Sequence, residues 1–220
     1  MGVFTAIYLG LNYFGGEFGR NLLYPIRVFV TFLHELGHAA GALLTGGKVE
    51  SIVIEPNTGG MTTTLNGNRP ITIAGGYIGS ALFGNIMVYI GAKQPRLVKP
   101  LLGLVIAVLL VTGFVWYKSV FTTFVLCAFA GVLFWAGFKT RYGREILIFL
   151  GLASVIYILQ DTAYGPSSDL AQFEREMRFF PARGWMLIWF FGAIGMLLLN
   201  LKLILGRKPD APLPRSIKTR

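Results

Sequence analysis

Acidic residues, histidines and cysteines are scarce in this chain, with ten Asp and Glu, two His and one Cys among 220 residues. A single cysteine, Cys127, excludes an intrachain disulfide and a thiolate metal cluster, and its setting in SVFTTFVLCAFAGVLFWAGF fits a small packing residue. Charged types reach only 14% of the chain against 54% apolar types, and the mean hydropathy of +0.62 excludes an ordinary soluble domain. Polar stretches are few as well. Residues 46 to 69, residues 161 to 184 and the tail after Gly206 are the longest, and none is long enough for a separate soluble domain.

What is present suits lipid as the solvent. A bilayer core about 30 Å thick takes roughly 20 apolar residues of helix. The chain offers about six such runs, over residues 22 to 45, 70 to 92, 97 to 116, 120 to 138, 145 to 160 and 185 to 205. The expected fold is an all-α polytopic membrane protein, one bundle over residues 1 to 206 with a basic, proline-bearing, disordered tail over residues 207 to 220. The opening MGVFTAIYLGLNYFGG lacks a basic n-region and a small-residue cleavage site, so it reads as an interfacial or half-length segment and not as a removed signal peptide.

Two stretches depart from plain apolar helix. In KVESIVIEPNTGGMTTTLN, β-branched residues alternate with polar ones around a Pro-Asn-Thr-Gly-Gly turn, which predicts a β-hairpin over residues 48 to 65. In the connection after residue 160, Ser168 is placed to cap a short helix that runs to Met177 and bears Asp169 in its first turn. Within the second span, AGGYIGSALFGN carries Gly75, Gly79 and Ser80, small residues that admit a neighbouring helix at close range.

The net charge of +10 sits in short loops and the tail. Lys93, Arg96 and Lys99 share one loop, Lys139, Arg141 and Arg144 another, and the tail holds Arg207, Lys208, Arg215, Lys218 and Arg220. Such clusters mark the cytoplasmic side of a multi-pass protein and do not form a phosphate-binding face, so no nucleic-acid partner is expected. With six spans all three clusters, the C-terminal tail included, fall on the cytoplasmic side. The hairpin and the segment after Asp161 then share the opposite side, where His34, His38 and Asp161 meet at similar depth.

Both histidines belong to one motif, His34-Glu35-Leu36-Gly37-His38, inside the first span. Imidazoles four residues apart stack on one helix face and match the bite of a tetrahedral zinc ion. Glu35 is turned about 100° away, so it addresses a water at the metal without ligating it. Zinc lowers the pKa of such a water to about 7 and Glu35 takes its proton. Ionisable groups within a membrane helix are costly and mark function. A catalytic zinc wants three protein ligands, and the third must be an acid because no other histidine exists.

The chain resembles the site-2 protease class of intramembrane zinc metalloproteases, in particular its small membrane-peptidase branch. HELGHAAGALLTGGKVESI, the hairpin and then GGYIGSALFG carry the resemblance over about residues 30 to 92, with a weaker match at SVIYILQDTAYGPSSDL. It implies a buried zinc on His34 and His38, Glu35 as base, an aspartate from a later helix as third ligand, and a hairpin edge that adds a strand to an extended substrate. The Leu-Asp-Gly element typical of the class is absent. The charge rule also places the site toward the non-cytoplasmic face, whereas the class works near the cytoplasm.

Among the acids, Glu50 and Glu55 sit on the hairpin and Glu17 precedes the motif helix by a short loop. Asp161, at the end of the fifth span, is the expected third ligand, and Asp169 in SSDL is its strongest rival. The expected activity is zinc-dependent endopeptidase cleavage of membrane-embedded or membrane-proximal protein segments, with a membrane protein or peptide and the lipid bilayer as partners. A metal-binding membrane protein that holds client segments, or acts as a partner subunit, without turnover is the competing reading. Glu35 favours the enzyme, because holding a client needs no base. A transporter would spread ionisable groups over facing spans, and the second to fourth spans have almost none.

Overall fold

A computed structural model of the chain describes residues 2–160, 165 and 168–206, with side chains from residue 6 to residue 158 in the first stretch. Two short helices, α1 (Gly2–Phe14) and α2 (Gly16–Leu22), lead into α3 (Tyr24–Leu44), whose Pro25 occupies the first turn, where no N–H is needed. Phe29, Val30 and Phe32 are fully enclosed on α3. The helix stops at Thr45, and Gly46 turns the chain with φ of +80°.

The expected hairpin follows as β1 (Lys48–Ile54) and β2 (Gly60–Leu65), antiparallel with Ile52 opposite Thr62 and Ile54 opposite Gly60. Ile52 and Ile54 point inward and are fully buried. Thr122, in the first turn of α6 (Val120–Phe134), donates its hydroxyl to Ile54 O at 3.1 Å and accepts from Ile54 N at 3.0 Å, and so ties the end of β1 to the bundle.

The remaining helices are α4 (Arg69–Lys93), α5 (Pro95–Val115), α7 (Gly143–Gln160), α8 (Asp169–Met177) and α9 (Ala182–Leu205), and a π-helical turn at Trp135–Lys139 extends α6. Asn68 caps α4 by accepting from Ile71 N at 3.1 Å. Four helices among the described residues are long and apolar enough to cross a membrane: Arg69–Lys93, Pro95–Val115, Val120–Lys139 and Ala182–Leu205. The chain is an integral membrane protein. About six spans are expected from sequence. The helices α3 and α7 coincide with the other two, but Arg27, His34, Glu35 and His38 make α3 less apolar, and α7 ends where the described side chains stop.

α4 lies between α3 and α7, and glycines bring backbone against backbone on both sides, Gly37 facing Gly75 and Gly84 facing Gly151. A Cβ on Gly37 of α3 would stand 2.2 Å from the Gly75 carbonyl oxygen, so the antiparallel crossing exists only with glycine at both positions. α3, α5, α6 and α7 enclose a core of Val28, Phe29, Phe32, Leu102, Leu126 and Leu147. α9 is joined to α4 by a buried amide pair, Asn200 Nδ2 donating to Asn85 O at 2.8 Å and to Asn85 Oδ1 at 3.0 Å. Arg144 donates to Gly91 O at 2.7 Å and to Ala92 O at 3.1 Å, which caps the last turn of α4 and brings two basic loops together. The hairpin lies at the opposite end of α4.

Candidate metal centre

His34 and His38 rise from one face of α3 with their Nε2 atoms 3.1 Å apart and their rings nearly perpendicular. A third donor comes from far along the chain. Asp169 Oδ2, in the first turn of α8, is 2.8 Å from His34 Nε2 and 3.0 Å from His38 Nε2.

Local sequence explains why α8 delivers it. Ser168 caps the helix by accepting from Ala171 N at 3.3 Å, and an acid in the first turn complements the helix dipole. Leu170, Ala171 and Phe173 form the apolar face that docks α8 beside Ile73, Tyr77 and Trp189. At its far end Glu176 pairs with Arg69 at 2.9 Å. Burial pushes the Asp169 carboxyl up, but hydrogen bonds from His34 and His38, with their charge, outweigh this and hold it well below the usual carboxylate range.

Whether the donor set fits a metal depends on where its protons lie. The Thr72 carbonyl only accepts, so its 2.9 Å contact with His38 Nδ1 holds a proton there and makes Nε2 the ring nitrogen available to a metal. His38 Nε2 faces the Asp169 carboxylate and the second Nε2. A tetrahedral zinc at about 2.0–2.2 Å from each of the three would set them about 3.3 Å apart, close to the 2.8–3.1 Å seen. These residues therefore fit zinc. His34 Nδ1 is buried with no hydrogen-bond partner among the described residues.

The walls are shaped for the two rings. A Cβ on Gly76 would stand 2.5 Å from His38 Cε1 and 2.7 Å from His34 Cε1, so only glycine leaves them room. Tyr77 sets its ring edge-on to His34 at 5.0 Å and stacks on Trp189 at 4.7 Å.

Glu35 is only 5% exposed. One ligand-type atom from each of His34, Glu35 and His38 lies within 4.8 Å of the others, a span that a single water bridges. The Thr62 hydroxyl of β2 lies 2.7 Å from Glu35 Oε2 and 3.0 Å from Glu35 O.

Of the sequence-predicted site residues, His34, His38 and Glu35 come together, and Asp161 lies outside the described residues. Asp169, the rival of Asp161, stands beside both histidines. Glu17 pairs with Arg20 at 3.6 Å, Glu55 accepts from Asn57 at 3.0 Å, and Glu50 is exposed on β1, so none of the three reaches the histidines. Sequence reasoning missed Thr72, Gly76, Thr62 and Gly60. The Gly75-Gly76 pair and the threonines of GMTTTL were the available signals.

A family model described as Peptidase M50B-like matches residues 3–200 of the chain. Comparisons with curated proteins and with solved structures return no match.

Proposed function

Because this chain belongs to the peptidase M50B-like family, a family of the site-2 protease class, we propose that it is a zinc-dependent endopeptidase that hydrolyses peptide bonds in membrane-embedded or membrane-proximal protein segments. The observation that carries this reading is the convergence of His34 Nε2, His38 Nε2 and Asp169 Oδ2 within 2.8–3.1 Å of one another. In it His34, His38 and Asp169 hold the metal, and Asp169 takes the role that the sequence assigns to Asp161.

Zinc in that position supplies Lewis acidity to a scissile carbonyl and to water. The chain's own residues do the rest. Thr72 keeps the His38 proton on Nδ1, and Tyr77 shields one side of His34 from water. Glu35 accepts the proton of the attacking water as the C–O bond forms, then returns it to the amine nitrogen as the C–N bond breaks. Thr122 already occupies the N–H and C=O of Ile54 on β1. The outer edge of β2, beside Glu35, is therefore the edge to which an unwound substrate segment adds a strand.

The deciding experiment measures metal content of the detergent-purified protein together with cleavage of a generic transmembrane peptide. Wild type is expected to hold about one zinc per chain and to cleave; Glu35→Gln is expected to hold the zinc and not cleave. Equal cleavage by both proteins refutes the proposal.

A further inference from the structure

The hairpin grips the glutamate as well as lying beside it. The Thr62 hydroxyl has one proton and two acceptors in reach, Glu35 Oε2 at 2.7 Å and Glu35 O at 3.0 Å, and the shorter contact to the charged oxygen is the stronger. Two residues earlier on the same face of β2, a Cβ on Gly60 would stand 2.6 Å from Glu35 Oε1 and 2.7 Å from Glu35 Cγ. One face of β2 therefore holds one carboxylate oxygen with a hydroxyl and packs bare backbone against the other.

The strand that does this is itself anchored to α3. Thr31, one turn before Glu35, donates its hydroxyl to Thr58 O at 2.7 Å, and Thr58 sits buried in the hairpin turn with φ of +70°. Thr122 fixes the end of the other strand. A glutamate on a helix otherwise swings about three side-chain torsions. Here its terminal torsion is set by a partner that is not on its own helix.

We infer that Thr62 is a positioning residue for Glu35: its hydroxyl fixes Oε2 and so aims the remaining lone pairs of the carboxylate at the water between Glu35 and the histidines. The inference rests on the reading of Glu35 as the base. Thr62 touches neither the histidines nor the metal position and acts only through Glu35.

Thr62→Val keeps the shape of the side chain and removes the hydroxyl, Thr62→Ser keeps the hydroxyl, and Thr31→Val cuts the other tie of the hairpin without touching the carboxylate. With the transmembrane peptide as substrate, Thr62→Val is expected to lower kcat by up to about 100-fold at unchanged KM and zinc content. Thr62→Ser is expected to recover most of that loss, and Thr31→Val to stay within about threefold of wild type. Difference infrared spectroscopy of the metal-free proteins gives a readout independent of turnover. A carboxylate band that shifts in Thr62→Val, returns in Thr62→Ser and is missing in Glu35→Gln identifies the grip on Glu35. An unshifted band, or equal kcat losses in Thr62→Val and Thr31→Val with no rescue by serine, overturns the positioning role. Full activity in Glu35→Gln instead removes the base itself, a different failure from that of Thr62.

Discussion

Asp169 Oδ2 and His34 Nε2 lie 2.8 Å apart although 135 residues separate them in the chain. The contact joins the first helix of the core to an amphipathic helix that arrives only after four intervening helices, and it completes a three-donor set with His38.

Zinc affinity of Asp169→Ala and Asp161→Ala, measured side by side, tests that completion. Removing a ligand is expected to cost more than the roughly 10–100-fold typical of a ligand's hydrogen-bond partner, so Asp169→Ala should lose well over about 100-fold. Asp161→Ala should stay near wild type. The reverse order would return the role to Asp161.

Glu35→Gln keeps the size of the side chain but cannot take a proton. Hydrolysis is expected to fall by about 10²–10⁴-fold or more while zinc stoichiometry stays at the wild-type value. His34→Ala and His38→Ala should lose the metal itself. Full metal occupancy in both histidine variants would place the zinc elsewhere.

Gly76→Ala and Gly37→Ala separate the walls of the site from the packing of the bundle. The added methyl at Gly76 meets both imidazoles, so zinc affinity should drop while the fold persists. At Gly37 it meets the backbone of α4, and overpacking is expected to destabilise the protein by about 1–3 kcal/mol. Zinc titration and thermal unfolding in detergent report the two effects; a large loss of melting temperature in Gly76→Ala with normal zinc binding would contradict this division.

The loops holding Arg96 and Arg141, and the tail at Arg215, are expected on the cytoplasmic side by their charge. Single cysteines placed in each, in a Cys127→Ser background, should resist impermeant thiol reagents applied from outside. External labelling at Arg215 would invert the orientation and bring the site toward the cytoplasm.

Much of this arrangement is legible in the amino-acid sequence. HELGH, the alternation around Pro-Asn-Thr-Gly-Gly and the apolar runs have fixed local periods, and α3, the hairpin and the later helices follow them closely. The third ligand is a different matter. Asp161 ends an apolar run and Asp169 opens a short amphipathic helix, and which one reaches the histidines depends on where Leu170 and Phe173 dock. That is a tertiary fact with no local period. Thr72 was hidden for another reason: it contributes a backbone carbonyl, which every residue has, so its identity carries no signal. Thr62 and Gly60 did leave a trace, since β2 places them on one face, but nothing in the strand says that a glutamate waits there.

The amide pair Asn85–Asn200 does for α9 what no apolar contact in a bilayer does well. Lipid tails are as oily as leucine, so a helix with a mostly lipid-facing surface gains little by choosing one depth or rotation over another. A slide of α9 by one turn would take Asn200 Nδ2 from both its acceptors and leave Asn85 Oδ1 without its donor, where no water replaces the lost partner. The two asparagines thus act as an index mark: they assign α9 a single registry against α4, and with it the height at which Trp189 meets Tyr77 beside the histidines.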